Sequence, residues 1–396
     1  MAPGALGIHG RVGLALKRAD GFCKERTARL LGHVRSVRLR PVAVLLVEVR
    51  RIVQGPWTPR LASRGLVVSA IDLQVLRGVT KVITHAREDA PCPDGLSAAL
   101  IVRDALPDVE VQFVRYESRE HADLLAEPGL LFVDISPPTA RLGEFIDAGT
   151  VVLDHHETVQ KDVERFAALG LGRYAFEPGV SGATLAYEEV WLPLVWPPLA
   201  ELTADTRSQM SGFGGESHRE RVRRFAELAG IYDTWQTEHV DWPKACELSS
   251  VVYFFPPEDW LADRTLFSYG PSLERRMELG PILARKNRDR ARDLAASAYR
   301  FVTPKGTRVT VCSTTVVSEA ANVIEDADVV IGFGFRVREG HPAMKLSFRS
   351  RGGYVVRPIA EGLGGGGHRA SASAWVELHA SHRNPYQVIR TLMDAW

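Results

Sequence analysis

The sequence predicts an α/β protein: a parallel-sheet unit followed by a smaller C-terminal α/β unit, with a helical connector between them. Three observations carry this expectation. From Lys81 onward, short β-rich runs alternate with stretches whose apolar residues recur at helical spacing. A long segment dense in Arg and Lys then interrupts the alternation, and strand-like runs resume after it.

Taken in order, Lys81–Thr84, Glu110–Tyr116, Leu130–Ile135 and Val151–Asp154 read as strands. Between them, Leu96–Leu106, Arg119–Ala126 and Ala140–Ala148 read as helices. Strand–helix–strand repeats of this length imply βαβ units and a parallel sheet, whose sites lie at the carboxyl ends of the strands. Ser181–Trp191 and Arg221–Ile231 look helical, separated by a polar, Gly-rich loop around Gly212–Ser217. Ser272–Ser297, interrupted by Pro281, is the connector. Arg308–Thr314, Val329–Arg338 and Met344–Ser350 then alternate like strands, and a helix at Tyr386–Asp394 closes the chain. The expected division is an extension at 1–75, a first α/β unit at 76–270, the connector at 271–298 and a second α/β unit at 299–396.

The 396 residues are enough for two or three domains. Hydrophobic residues at 45% and charged residues at 24% exclude a disordered, collagen-like or coiled-coil chain. The formal charge of +1 hides an asymmetry: residues 1–68 hold thirteen Lys/Arg against three Asp/Glu, a net of +10 that leaves −9 on the rest. An acidic body argues against unassisted binding of long nucleic acid and suits carboxylates gathered around metal ions. The first 70 or so residues, with Arg35, Arg38, Arg40, Arg50 and Arg51 out of any period, read as a poorly ordered extension. A basic nucleic-acid-binding arm is the alternative. Cys23, Cys92, Cys246 and Cys312 form no CxxC pair, so neither a disulfide framework nor a cysteine zinc site is indicated. No apolar run is long enough to span a membrane, and Val42–Val49 makes a poor signal peptide, so a reduced, cytoplasmic compartment is expected.

The strongest local signal is Asp154-His155-His156 at the end of an apolar run, since this composition predicts only about 0.02 such tripeptides by chance. Other acids and imidazoles fall at similar places. Asp134 closes LLFVD, Asp94 opens a helix after KVITHAREDAPCP, Asp233 ends FAELAGIYD, and His85 ends KVITH. Oxygen and imidazole ligands without a thiolate cluster suit Mn²⁺ or Mg²⁺. Two such ions about 4 Å apart would clamp an attacking hydroxide and a phosphoryl oxygen. The glycines Gly364–Gly367 before His368 could turn backbone N–H groups toward an anion. Ser181-Gly182 reads as a helix N-cap rather than a nucleophile, and neither a GK[ST] phosphate loop nor a GxSxG elbow is present.

Asp154-His155-His156, the stretch Cys92–Gly95, the aspartate after LLFV and the terminal GGGGH together resemble the DHH/DHHA1 phosphoesterase superfamily, over residues 80–396. That superfamily includes RecJ-type exonucleases, nanoRNases and cyclic-dinucleotide phosphodiesterases. The resemblance implies a DHH catalytic domain, a DHHA1 substrate-binding domain and a two-ion site that takes Mn²⁺, with Mg²⁺ as the alternative. By that likeness His85 and Asp134 bind the first ion, Asp134 bridges, and Asp94, His155 and Asp233 complete the second site. His156 faces the scissile phosphate, and Asp154 orients a neighbouring imidazole. Arg349 with Gly365, Gly366, Gly367 and His368 holds the non-scissile part of the substrate.

The first motif departs from the family's histidine followed four and six residues later by aspartates. Asp89 is four after His85, but Pro91 takes the next place, and three extra residues separate His85 from Cys92. Either Asp89 loops back as a ligand or the site is short of one carboxylate. Cys92 reads as a small buried thiol in preference to a ligand. Asp205 competes with Asp233, and Asp233 is preferred because IYDTW resembles the family's Asp-x-Trp motif. The expected activity is hydrolysis of short single-stranded oligonucleotides or linear dinucleotides, with no membrane partner and with a homodimer allowed. The rivals are a polyphosphate or small phosphate-ester hydrolase, and a non-catalytic nucleotide-binding regulator.

Overall fold

The structure is a computed structural model that describes residues 71–396 apart from 87–90, 117, 197–214, 269–270, 315–316, 339–340, 352 and 379–383. The basic segment 1–70, Asp89 and Asp205 thus lie outside the described residues. Strands β1 (Lys81–His85), β2 (Glu110–Val114), β3 (Leu130–Val133), β4 (Val151–Asp154) and β5 (Gly172–Tyr174) form an all-parallel sheet in the order β2-β1-β3-β4-β5. Period-2 alternation sends their side chains into two cores. Val82, Leu131, Val133, Val151 and Leu153 face one, and Ile83, Leu130, Phe132 and Val152 face the other. Both faces are covered, which is why these strands read as unbroken apolar runs rather than alternating ones.

Helices Pro93–Ala105, Gly182–Ala186 and Gly215–Asp233 pack on the first face, while Leu142–Asp147 and Gln160–Ala167 close the second through Leu142, Phe145, Val163 and Phe166. Three expected helices differ in extent. Arg119–Ala122 is a single turn, the segment Tyr187–Trp191 continues its helix in π form, and Gly215 already begins the helix expected only from Arg221. The expected Gly-rich loop around Gly212–Ser217 therefore gives way to a helix from Gly215 onward.

The connector is two helices, Ser272–Met277 and Gly280–Ala296. Pro281 opens the second in its first turn, where its missing N–H has no cost. That helix packs between Trp242–Phe254 and Val317–Val323 and so belongs to the packing of both units.

The C-terminal unit is a six-stranded mixed sheet in the order β10-β11-β9-β8-β7-β6. Its strands are β6 (Tyr299–Val302), β7 (Arg308–Ser313), β8 (Val329–Arg338), β9 (His341–Ser350), β10 (Gly366–His368) and β11 (Ser371–Glu377). Only the β7–β8 pair is parallel. Met344, Leu346 and Phe348 of β9 pack with Ile331 and Phe333 of β8 beneath Ile359, Ile389 and Met393 from the helices.

The glycine run differs from its expected form. Gly366–His368 pair with Ser371–Ser373 as an antiparallel strand, instead of forming an open cradle of N–H groups. A Cβ on Gly365 would stand 2.1 Å from the Ser373 carbonyl oxygen and 2.7 Å from Ala374 Cα, whereas one on Gly366 would meet only Thr158 Cγ2, at 3.3 Å. Close approach of β11 therefore demands glycine at 365. Gly365→Ala should cost about 1–3 kcal/mol in urea unfolding, and Gly366→Ala much less. Equal losses for the two variants would rule out this packing.

Candidate metal and phosphate site

In a sheet ordered β2-β1-β3-β4-β5, the chain moves in opposite directions from β1 and from β3, leaving a crevice at their carboxyl ends. His85 ends β1, Asp134 follows β3, and Asp154 ends β4 with His155 and His156 directly after it. Asp94 stands in the first turn of Pro93–Ala105, and Asp233 is the last residue of Gly215–Asp233. These elements bring His155 Nε2 to 3.2 Å from Asp134 Oδ1, 3.5 Å from Asp233 Oδ2 and 3.6 Å from Asp94 Oδ2. His85 Nδ1 lies 3.9 Å from Asp134 Oδ2.

Local chemistry holds each group in place. Asp134 has φ 60°, a left-handed conformation that turns its carboxylate back over the strand end. Asp94 accepts hydrogen bonds from Ser181 Oγ (2.7 Å), Gly182 N (2.6 Å) and Ala183 N (3.0 Å), so the N-terminus of another helix fixes it. Asp154 is held by a different set of donors. Its Oδ1 accepts from His155 N (2.7 Å), His156 N (3.0 Å) and His156 Nδ1 (2.8 Å), and its Oδ2 accepts from Ser136 Oγ (2.9 Å). With Nδ1 donating to Asp154, Nε2 is the nitrogen of His156 left for chemistry.

The electrostatics separate these carboxylates into two kinds. Burial, reinforced by the charge of Asp233, raises the Asp94 pKa, and burial with the neighbouring Asp94 raises that of Asp134 well above the usual range. Burial also acts on Asp154, yet the charge of His156 and their hydrogen bond hold it low. On His156, the Asp154 charge outweighs burial and raises the pKa. Asp233 is held low against burial by the adjoining imidazoles of His368 and His155.

The cluster has the features of a cation site. Asp134 Oδ2 and His155 Nδ1 are buried and form no hydrogen bond. Asp94, Asp134 and His155 offer ligand atoms within 4.8 Å of one another, and so do His85, Cys92 and Asp134. A divalent ion would neutralise carboxylates that otherwise repel one another in a buried setting.

His368 departs from its expected place. It lies in this cluster, with Nε2 3.5 Å from Asp233 Oδ2 and its ring 4.9 Å from those of both His155 and His156. β10 packs against the turn after His156, which places His368 beside the cluster and not at a distance from it. Arg349 is farther out. Its Nε donates to Ser318 Oγ (3.1 Å) and its guanidinium lies 5.7 Å from the Trp235 ring centroid. Register places Arg349 opposite Ser371 and Ser371 opposite His368, so the three share one row across β9, β11 and β10.

Ser136 and Thr84 were not singled out in the sequence, and only the short segment VDIS around Ser136 hinted at a polar strand end. Thr84 Oγ1 donates to Val133 O (2.9 Å) and Gly95 O (3.0 Å), tying β1 to β3 and to the helix after it.

No protein-family profile and no curated protein matches the chain. Among solved structures, it is similar to a pGpG-specific phosphodiesterase, PggH, from Vibrio cholerae, with 11% identity and a TM-score of 0.36, over 79% of this chain and 98% of that one. It is also similar to a DHH domain described as a member of a family of ribosomal proteins, with 12% identity and a TM-score of 0.43, over 81% and 87%. An exopolyphosphatase-related protein from Bacteroides fragilis matches at 11% identity and a TM-score of 0.35, over 81% and 94%.

If the cluster binds cations, loading should stabilise the fold. A hundredfold excess of Mn²⁺ over its Kd should add about 2.7 kcal/mol, read as a rise in Tm that a chelator reverses. Asp134→Asn should lose that gain while raising the metal-free Tm, because it removes a buried repulsive charge. A Tm insensitive to divalent ions would exclude the site.

Proposed function

We propose that this chain is a DHH-type, divalent-metal-dependent phosphodiesterase acting on short oligonucleotides or linear dinucleotides. The observation that carries the reading is the convergence of Asp94, Asp134 and Asp233 on His155, whose Nε2 lies 3.2 to 3.6 Å from an oxygen of each, at the crevice between β1 and β3. Asp94, Asp134, His155 and Asp233 form an oxygen-rich set suited to Mn²⁺ or Mg²⁺, with His85 on the far side of Asp134. Divalent ions there would supply Lewis-acid charge and activation of water at neutral pH.

The chain's own residues do the rest. Asp154 holds His156 in one tautomer and favours its protonated form, so Nε2 can donate to a non-bridging phosphate oxygen as charge develops there. His368, stacked on His156, closes the site from the second sheet and helps to exclude water. Arg349 lies along the same row, about two strand spacings or 10 Å away, within reach of a second phosphate or base of a short substrate. Among the described residues, no helix is long and apolar enough to cross a membrane. A small substrate also suits the acidic body of the chain, which repels a long polyanion.

The test is a panel of labelled two- to ten-mers, cyclic dinucleotides and polyphosphate, assayed with and without Mn²⁺. Turnover of two- to five-mers is expected; turnover of polyphosphate alone would replace this substrate class, and binding without turnover would make the chain a regulator. His155→Ala should lose several orders of magnitude in kcat, since it removes the imidazole shared by three carboxylates. His368→Ala should slow an oligonucleotide and a small chromogenic phosphodiester alike. Arg349→Ala should lower kcat/KM on the oligonucleotide by roughly 10- to 150-fold and leave the small diester nearly unchanged. A loss confined to the oligonucleotide for His368→Ala would return that residue to a remote subsite.

A further inference from the structure

The irregular first motif places a sulfur where a carboxylate is expected. Ala86 and Pro91, on either side of residues 87–90, form an antiparallel bridge. Beyond the bridge, Cys92 N donates to His85 O at 3.1 Å, so Cys92 sits beside the end of β1 although seven positions separate it from His85. Cys92 is also the N-cap residue of Pro93–Ala105. The thiol is buried, at 4% exposure, and its Sγ belongs with a nitrogen of His85 and an oxygen of Asp134 to a group spanning no more than 4.8 Å.

A second, independent observation points to a ligand at this spot. Asp134 is 2% exposed, and its two oxygens differ: Oδ1 faces His155, whereas Oδ2 faces His85 and accepts no hydrogen bond. A buried carboxylate oxygen without a donor is costly unless a cation meets it. Gly95 leaves room for this arrangement, since a Cβ there would stand 3.1 Å from that same Oδ2.

We infer that Cys92 is a ligand of the first cation site, which makes the two sites chemically unlike: His85, Cys92 and Asp134 hold a thiophilic divalent ion such as Zn²⁺, and Asp94, Asp134, His155 and Asp233 hold Mn²⁺ or Mg²⁺. Sulfur, nitrogen and oxygen donors in one set select borderline ions over hard ones, while an oxygen-rich set does the reverse. Binding releases the thiol proton to solvent as the sulfur lone pair enters the coordination shell, with no change of oxidation state. The inference rests on the two-cation reading of the site. It replaces the expectation of an inert buried thiol, and it needs no contribution from Asp89.

The experiment is a Co²⁺ titration of the metal-free full-length chain, followed by visible and near-ultraviolet absorption. Wild type should show cobalt d–d bands together with a thiolate-to-cobalt charge-transfer band. Cys92→Ser should keep the d–d bands and lose the charge-transfer band, and Asp89→Ala should keep both. Cys92→Asp should weaken Zn²⁺ binding at least tenfold and strengthen Mn²⁺ binding. Should the serine variant fail to fold, cadmium X-ray absorption of wild type still reports the expected cadmium–sulfur distance. Cobalt d–d bands without a charge-transfer band, or a charge-transfer band that survives Cys92→Ser, would overturn the assignment and leave the phosphodiesterase reading intact. Absence of any cobalt spectrum would overturn both.

Discussion

Three carboxylates packed around one buried imidazole, two of them nearly shut off from water, are the arrangement on which the rest of the molecule depends. Asp94, Asp134 and Asp233 each approach His155 Nε2 within 3.6 Å, and the imidazole alone cannot satisfy them. Burial raises the pKa of Asp94 and Asp134, so without a counter-charge these groups tend toward their neutral forms. A fold that keeps them together must supply rigid support from behind and receive positive charge from in front. Cations in the crevice would provide the second, and the same positive charge is what a phosphodiester needs as it is attacked.

The support from behind is built from backbone and small residues. The helix beginning at Gly182 directs its N–H groups at Asp94, and a Cβ on Gly182 would stand 2.6 Å from Asp134 Cβ, so only glycine lets that helix end reach both acids. Asp134 accepts a left-handed backbone to aim its carboxylate. Thr84 bonds two carbonyls at once and locks β1, β3 and the following helix together. Asp154 is the contrasting case. Charged, fully engaged and turned toward His156, it shows that an aspartate in a buried site can serve orientation instead of cation binding.

Strands β1, β3 and β4 were legible because both of their faces are buried, which writes them as continuous apolar runs. The positions of Asp94, Asp134, His155 and Asp233 at element ends followed from the same pattern. β5 and β11 were not legible for a physical reason. GRY is only three residues long and begins with a glycine at which a Cβ would stand 2.6 Å from the Val152 carbonyl oxygen, and SASAWVE is largely small residues of low strand propensity held by pairing to β9. The place of His368 was hidden too, because local sequence describes a glycine turn and does not show which distant strand end it will face. The bridge between Ala86 and Pro91 was equally out of view, since a two-residue contact leaves no periodic trace.

The join between the two sheets explains why His368 sits among the residues of the first. Trp235, directly after the Asp233 helix, packs with Val317, Ala320, Ala321 and Val330 of the second unit, so one hydrophobic cluster spans both. Arg357 pairs with Glu157 in the turn after His156, and Gly366 passes close to Thr158 in the same turn. These contacts hold β10 against the end of β4, which brings the His368 ring onto His156. The Trp235 cluster is apolar and buried, so it is the stronger of the two attachments, and the Arg357–Glu157 pair adds a polar one at the end of β4. Arg349 and His368 stand on one row of the second sheet, so the same two attachments that set His368 over the crevice also set the position of Arg349.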